Sequence, residues 1–189
     1  MIARFFRPLA RDPGALGLID DAAILAPPAG HEVVLKTDAI VEEFIAGREL
    51  YIGVVGNDPP IPLPPIEMVF GNEPNVEGRI ATFKAKWSVK YRESRGIQNE
   101  IAKNLSPDVR KRLAEVAVRA YQAAGLRDYG RIDVRLAHDD AIYVVEANPN
   151  PYLADGEDLA WAAEEGGHLY PDFIEKIAEM ACKRARKRP

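Results

Sequence analysis

Gly130-Arg131-Ile132-Asp133-Val134-Arg135-Leu136-Ala137-His138-Asp139-Asp140-Ala141-Ile142-Tyr143-Val144-Val145-Glu146-Ala147-Asn148 reads as two strands joined at Asp139-Asp140, with apolar and charged residues alternating toward the turn. An antiparallel hairpin centred there pairs residues whose numbers sum to 279, so Asp133 faces Glu146 and Arg131 faces Asn148. A side-chain period of two puts these four on one face and Ile132, Val134, Val145 and Ala147 on the other. A loop of three or five residues would shift the partners. Two directly opposed carboxylates repel by about 0.2–1 kcal/mol even when solvated. A divalent cation removes that penalty. Two carboxylates and an amide suit Mg²⁺, which keeps several waters and completes its shell with substrate phosphates. Arg131, one pair along, could stabilise charge developing on a reacting acyl or phosphoryl oxygen. The alternative is structural: Asp133 pairs with Arg131 or Arg135 at an exposed edge, and Glu146 ends a strand.

Around the hairpin the sequence alternates strand and helix signals. Ser106 as N-cap, Pro107 at the first helical position and Asp108 in the first turn open a helix that carries Val109, Leu113, Val116, Ala117, Ala120, Tyr121 and Ala124 at helical spacing, and Gly125 stops it. Glu157 to Glu165 predicts a shorter helix ended by Gly166-Gly167, and another starts near Pro171 with Phe173, Ile174, Ile177, Met180 and Ala181 inward. Strands are expected at Glu32 to Lys36, Glu49 to Val55, Ile66 to Phe70, Arg131 to Leu136 and Ala141 to Glu146. Asn57 to Pro65 contains too many prolines to supply ladder donors and must be an extended loop or sheet edge. The fold class is α/β (α+β), with a mixed, mainly antiparallel sheet and packing helices.

Of 189 residues, 47% are hydrophobic and 29% charged, as in a globular protein with one domain or two small ones. No apolar run approaches the roughly 18–20 residues that span a bilayer, Met1 to Pro8 lacks a leader pattern, and the single Cys182 offers no internal disulfide. A cytoplasmic setting without a membrane partner is expected. Five of the last seven residues are basic, and without them 20 basic residues stand against 29 acidic ones, about −9 by counting. An acidic body argues against a nucleic-acid surface there; the basic tail suits either contact with RNA or an acidic partner, or a helix C-terminus, where cations favour the macrodipole.

Arg131-Ile132-Asp133, followed thirteen residues after the Asp by Glu146-Ala147-Asn148, resembles the metal-binding end of ATP-grasp ligases, above all the D-alanine:D-alanine ligases, over about Val41 to Arg184. The resemblance implies that Asp133, Glu146 and Asn148 hold Mg²⁺ on the phosphates of ATP and that Arg131 stabilises a tetrahedral intermediate. Val41-Glu42-Glu43-Phe44-Ile45-Ala46-Gly47-Arg48-Glu49-Leu50 is similar to the family's hinge. By that likeness Glu42 accepts from the adenine amino group, the backbone of Glu43 and Ile45 meets the adenine edge, and Glu49 binds the ribose hydroxyls. Lys86 matches the lysine that reaches the ATP phosphates.

Ala10 to Val41, with Gly17-Leu18-Ile19-Asp20-Asp21-Ala22-Ala23-Ile24-Leu25 and Lys36-Thr37-Asp38-Ala39, instead resembles the start of thiamine-monophosphate kinases, which implicates Asp20, Asp21 and Asp38 in binding Mg²⁺ with ATP. The expected organisation is a kinase-like segment at 1–40 joined to an ATP-grasp C-terminal lobe at 41–189. The family's Gly-rich-loop lobe and substrate domain have no counterpart in this sequence. The expectation is therefore an ATP-grasp carboxylate-amine ligase in incomplete or chimeric form, taking nucleotide and a small-molecule substrate, with weak ATP and Mg²⁺ binding and little turnover. Two other readings stand beside it: a non-catalytic module with a vestigial nucleotide face, and a thiamine-phosphate kinase fragment. A homodimer could restore part of a roof over the exposed sheet face. Strand Glu32 to Lys36 is expected to cover a sheet edge.

Overall fold

Leu50-Tyr51-Ile52-Gly53-Val54-Val55 offers apolar surface to both faces of a strand, so it belongs in the middle of a sheet covered on both sides. The computed structural model describes residues 22–25, 33–36, 43–71 and 79–186. Its strands are β1 (Ala22–Leu25), β2 (Val33–Lys36), β3 (Gly47–Val55), β4 (Ile61–Pro62), β5 (Ile66–Phe70), β6 (Ile97–Ile101), β7 (Tyr129–Ala137) and β8 (Ile142–Asn148). The helices are α1 (Phe83–Trp87), α2 (Val89–Arg95), α3 (Pro107–Ala123), α4 (Asp158–Glu165) and α5 (Tyr170–Ala185). The main sheet runs β6-β5-β3-β7-β8, with β4 also pairing to β3, and its pairings are antiparallel. The Pro-rich stretch is thus partly a sheet edge, as expected. β2 pairs with β1 in a two-stranded sheet rather than with an edge of the main one.

Two cores form because β3 and β7 alternate. Leu50, Ile52, Val54, Ile132, Val134 and Leu136 face α3, which returns Val109, Leu113, Ala117 and Tyr121. Tyr51, Val55, Ile66 and Met68 face the other way, toward Ala85 of α1, Leu159 and Ala163 of α4, and Phe173 and Ile177 of α5. Gly53 lets α4 approach, since a Cβ there would lie 2.4 Å from Leu159 Cδ1 and 2.9 Å from Leu63 Cδ1. Helix α3 starts as its sequence demands: the Ser106 hydroxyl accepts from the Val109 N–H at 3.2 Å. The basic tail is partly spoken for, because Arg184 pairs with the buried Asp128, tying α5 to the start of β7. Among the described residues no helix is long and apolar enough to cross a membrane.

The hairpin departs from its expected register in two places that cancel. Asp140 takes a left-handed φ of 62°, its N–H donates to the Ala137 carbonyl at 3.1 Å, and Ala137 N–H donates to Ala141 at 2.9 Å. That is a three-residue loop. It moves the pairs next to the turn by one residue, giving Leu136 opposite Ile142 and Val134 opposite Val144. A bulge between Asp133 and Val134 then absorbs the extra residue, Val145, and beyond it Asp133 faces Glu146 and Arg131 faces Asn148. Val145, expected to share a face with Ile132 and Val134, is 46% exposed, and its neighbours on this edge strand are too, Tyr143 at 46% and Val144 at 47%.

Candidate active site

Three neighbouring strands build one polar face. β3 supplies Glu49, Tyr51 and Gly53; opposite them on β7 stand Arg135, Asp133 and Arg131; β8 adds Glu146 across from Asp133 and Asn148 across from Arg131. Arg131 grips Asp133 with two bonds, Nε to Oδ1 at 2.7 Å and Nη2 to Oδ2 at 2.8 Å. The ring of Tyr51 lies 4.7 Å from the Arg131 guanidinium carbon. Of the two sequence readings of Asp133, the ion pair to Arg131 is present, but it is buried rather than at an exposed edge, since the Asp133 side chain is 6% accessible.

Burial pushes the Asp133 carboxyl up; the Arg131 bonds and the Lys86 charge oppose that rise, and Glu146 adds to it. Burial works against the Arg131 charge, yet the hydrogen bond to Asp133 and the charges of Asp133 and Asp158 raise it on balance. Tyr51 is also pushed up, first by burial and then by the charges of Glu49 and Asp133. Asp158, in the first turn of α4, accepts from Asn99 Nδ2 at 2.8 and 2.7 Å, and Asn99 in turn accepts from Arg92 at 3.2 Å. Arg131 therefore sits within the field of carboxylates on two elements.

Lys86 projects from α1, half-buried, close enough for its charge to act on Asp133. At the hinge, Glu43 is exposed and Ile45 half-buried, and the Ile45 carbonyl accepts from Arg135 at 2.9 Å. The Glu49 carboxylate accepts from Tyr51 at 3.2 Å and from Arg135 at 3.0 Å. Glu42, Asp20, Asp21 and Asp38 lie outside the described residues. Tyr51, Asn99 and Asp158 were not singled out in the sequence, and Arg135 entered only as a possible partner of Asp133. Tyr51 could have been found two residues from Glu49, and Arg135 two residues beyond Asp133, both on the same faces.

The donor set fits Mg²⁺ by its chemistry. Asp133 and Glu146 offer carboxylate oxygens and Asn148 an amide oxygen, and oxygen-only sets with one or two carboxylates are what this ion takes when phosphates supply the rest. Among the described residues no group of three or more His, Cys, Asp or Glu side chains is placed to hold a metal. Asn148 already accepts from Asn150 N–H at 2.9 Å, and both Asp133 oxygens accept from Arg131. Each oxygen keeps a second lone pair.

Residues 30–179 match the family described as D-ala D-ala ligase C-terminus. The match begins eleven residues upstream of Val41, inside the segment likened to thiamine-monophosphate kinases. A D-alanine–D-alanine ligase of Desulforudis audaxviator is 34% identical over 149 residues, covering 78% of this chain and 44% of the relative. An uncharacterised protein of Sinorhizobium fredii is 31% identical over 147 residues, covering 78% of this chain and 42% of the relative. This chain thus spans less than half the length of either. Among solved structures, the D-alanine–D-alanine ligase of Coxiella burnetii superposes with a TM-score of 0.61 at 20% identity, over 78% of this chain and 35% of that one. The enzyme of Bacillus anthracis in complex with ATP gives 0.58 at 20% identity, over 78% and 42%. These two likenesses concern the fold.

Proposed function

The chain belongs to the D-ala D-ala ligase C-terminal family, and from that premise we propose that it is the nucleotide- and metal-binding part of an ATP-dependent carboxylate-amine ligase. The observation that carries the reading is the convergence of Arg131, Asp133, Glu146 and Asn148 on one face of β7 and β8. In such a reaction the γ-phosphoryl group of ATP passes to a carboxylate, giving an acyl phosphate and ADP. An amine then attacks the acyl carbon and expels phosphate. Asp133, Glu146 and Asn148 would hold Mg²⁺ on this face, and the bound ion would supply Lewis-acid neutralisation of phosphate charge.

The remaining work falls to the protein's own side chains. Lys86, whose charge already reaches Asp133, draws the phosphates to the metal face. Arg131 is held flat by Asp133 and by the Tyr51 ring, so its guanidinium is oriented before charge develops on the reacting oxygen. Glu42 with the backbone of Glu43 and Ile45 takes the adenine, and Glu49 takes the ribose hydroxyls. The carboxylate and amine substrates belong to the same proposal.

For the 189-residue chain by itself the expected affinity for Mg-ATP is millimolar, about 4 kcal/mol of binding free energy, and ligation is not expected. Titration of amide resonances with Mg-ATP tests this on the parent and on Glu146→Gln. Saturable, Mg²⁺-dependent shifts at residues on β3, β7 and β8, weakened about tenfold or more in the variant, are the expected result. Shifts that ignore Mg²⁺, or a parent that does not respond to ~10 mM nucleotide, remove the nucleotide reading.

A further inference from the structure

Arg135 carries no role in the ligase reading, yet it is among the most committed side chains in the site. Its Nε donates to the Ile45 carbonyl at 2.9 Å, Nη1 to Glu49 Oε2 at 3.0 Å and to the Arg79 carbonyl at 2.9 Å, and Nη2 to the Gly47 carbonyl at 3.3 Å. The Phe44 ring stands 5.4 Å from its guanidinium carbon. The side chain is 8% exposed and that of Glu49 12%. A guanidinium is a rigid planar fork of N–H donors. One such group therefore joins β7 to the hinge, to β3 and to the segment before α1.

Glu49 is where these ties meet. Besides Arg135, its carboxylate receives the Ala81 N–H at 3.4 Å and the Tyr51 hydroxyl at 3.2 Å. Donors from three parts of the chain hold one carboxylate in one orientation. An acceptor that is aimed before its ligand arrives spends less binding free energy on ordering. If it is loosened, it accepts from a hydroxyl less selectively.

We propose that Arg135 is the positioning residue of the nucleotide site: by fixing the hinge backbone and the Glu49 carboxylate together, it makes the site select a ribose over a 2′-deoxyribose. The inference rests on the reading of Glu49 as the ribose acceptor. A hydrogen bond to a charged group corresponds to roughly 10- to 150-fold in affinity, which sets the scale of the preference. Arg135 itself touches no reacting atom in this scheme.

The test compares Mg-ATP with Mg-2′-deoxyATP, by titration of amide resonances, on the parent, Arg135→Met and Arg135→Lys. The parent is expected to favour ATP by about tenfold or more. In Arg135→Met the two nucleotides should bind within about twofold of each other, and without nucleotide the amides of residues 44–47 and 79–81 should exchange hydrogen faster. Arg135→Lys keeps a positive charge beside Glu49 but not the fork, so it should show the faster exchange and a reduced preference; it carries the test if the Met variant does not fold. An unchanged preference in either folded variant overturns the inference. So does equal weakening of both nucleotides, which is what a merely structural role would give, or a parent that binds the two alike. A parent that binds neither removes the ligase reading itself, and this inference with it.

Discussion

Asp133 and Glu146 face each other across two strands, yet they are unequal partners. Asp133 is buried and gripped by Arg131, whereas Glu146 is half-buried and makes its mark on Asp133 only through its charge. Asp133→Asn therefore leaves a largely buried guanidinium without its main counter-charge, and it should cost about 3 kcal/mol of folding stability. Glu146→Gln removes a like charge and should gain about 0.2–1 kcal/mol. Urea unfolding of the two variants checks the asymmetry, and equal effects would show that the Arg131 grip contributes nothing. The opposition of these carboxylates was legible because the three-residue loop and the bulge after Asp133 offset each other, which restores the pairing that strand alternation and a two-residue turn predict. The commitments of Arg135 were not legible, because most of its acceptors are backbone carbonyls 56 to 90 residues away. A carbonyl looks the same in every residue, so side-chain chemistry gave no hint of where that guanidinium would go.

At the level of elements, long and strongly patterned segments appear close to where their sequences put them. Ile66–Phe70 has the expected bounds, and the two long helices α3 and α5 begin at their Pro-marked ends. The short or polar ones escaped notice. β6, Ile-Gln-Asn-Glu-Ile, is a strand because it completes the edge beside β5 rather than because its residues favour one. Residues 83–95 split into α1 and α2 because Thr82 and Ser88 each cap a new start, a division too short for helical periodicity to reveal. The approach of α4 to β3 was likewise hidden, although Gly53 is its cause. Gly53→Ala places a methyl against Leu159, which is 2% exposed, and overpacking of this kind costs about 1–3 kcal/mol. A double-mutant cycle with Leu159→Ala should be strongly non-additive, since the smaller partner makes room for the new methyl. Additive losses would mean that α4 accommodates the methyl by moving rather than by straining Leu159.

Across the whole molecule, one sheet divides two cores, and each core holds a buried tyrosine whose hydroxyl is shielded from ionisation. Tyr51 sits in the core with the site, and Tyr121 in the core under α3, where its hydroxyl donates to the Gly56 carbonyl at 3.1 Å. Burial raises both, Tyr121 to about 12 from its usual 10.0. An unfolded chain frees both phenols to titrate near 10. Between about pH 10 and 12 the folded protein thus keeps protons that the unfolded chain loses. Stability contributed by the neutral phenols is fully present below pH 10 and declines as pH rises through the folded-state value. Tyr121→Phe should cost about 1 kcal/mol at neutral pH through the lost bond to Gly56, while its stability falls less steeply above pH 10 than the parent's. Urea titrations of both proteins at neutral pH and at steps above pH 10 separate the two effects. Parallel alkaline declines would place the loss elsewhere, at Tyr51, whose phenol burial also pushes up. A shallower decline in Tyr121→Phe would show that the phenol under α3 carries its own share of the alkaline loss, separate from that of Tyr51 across the sheet.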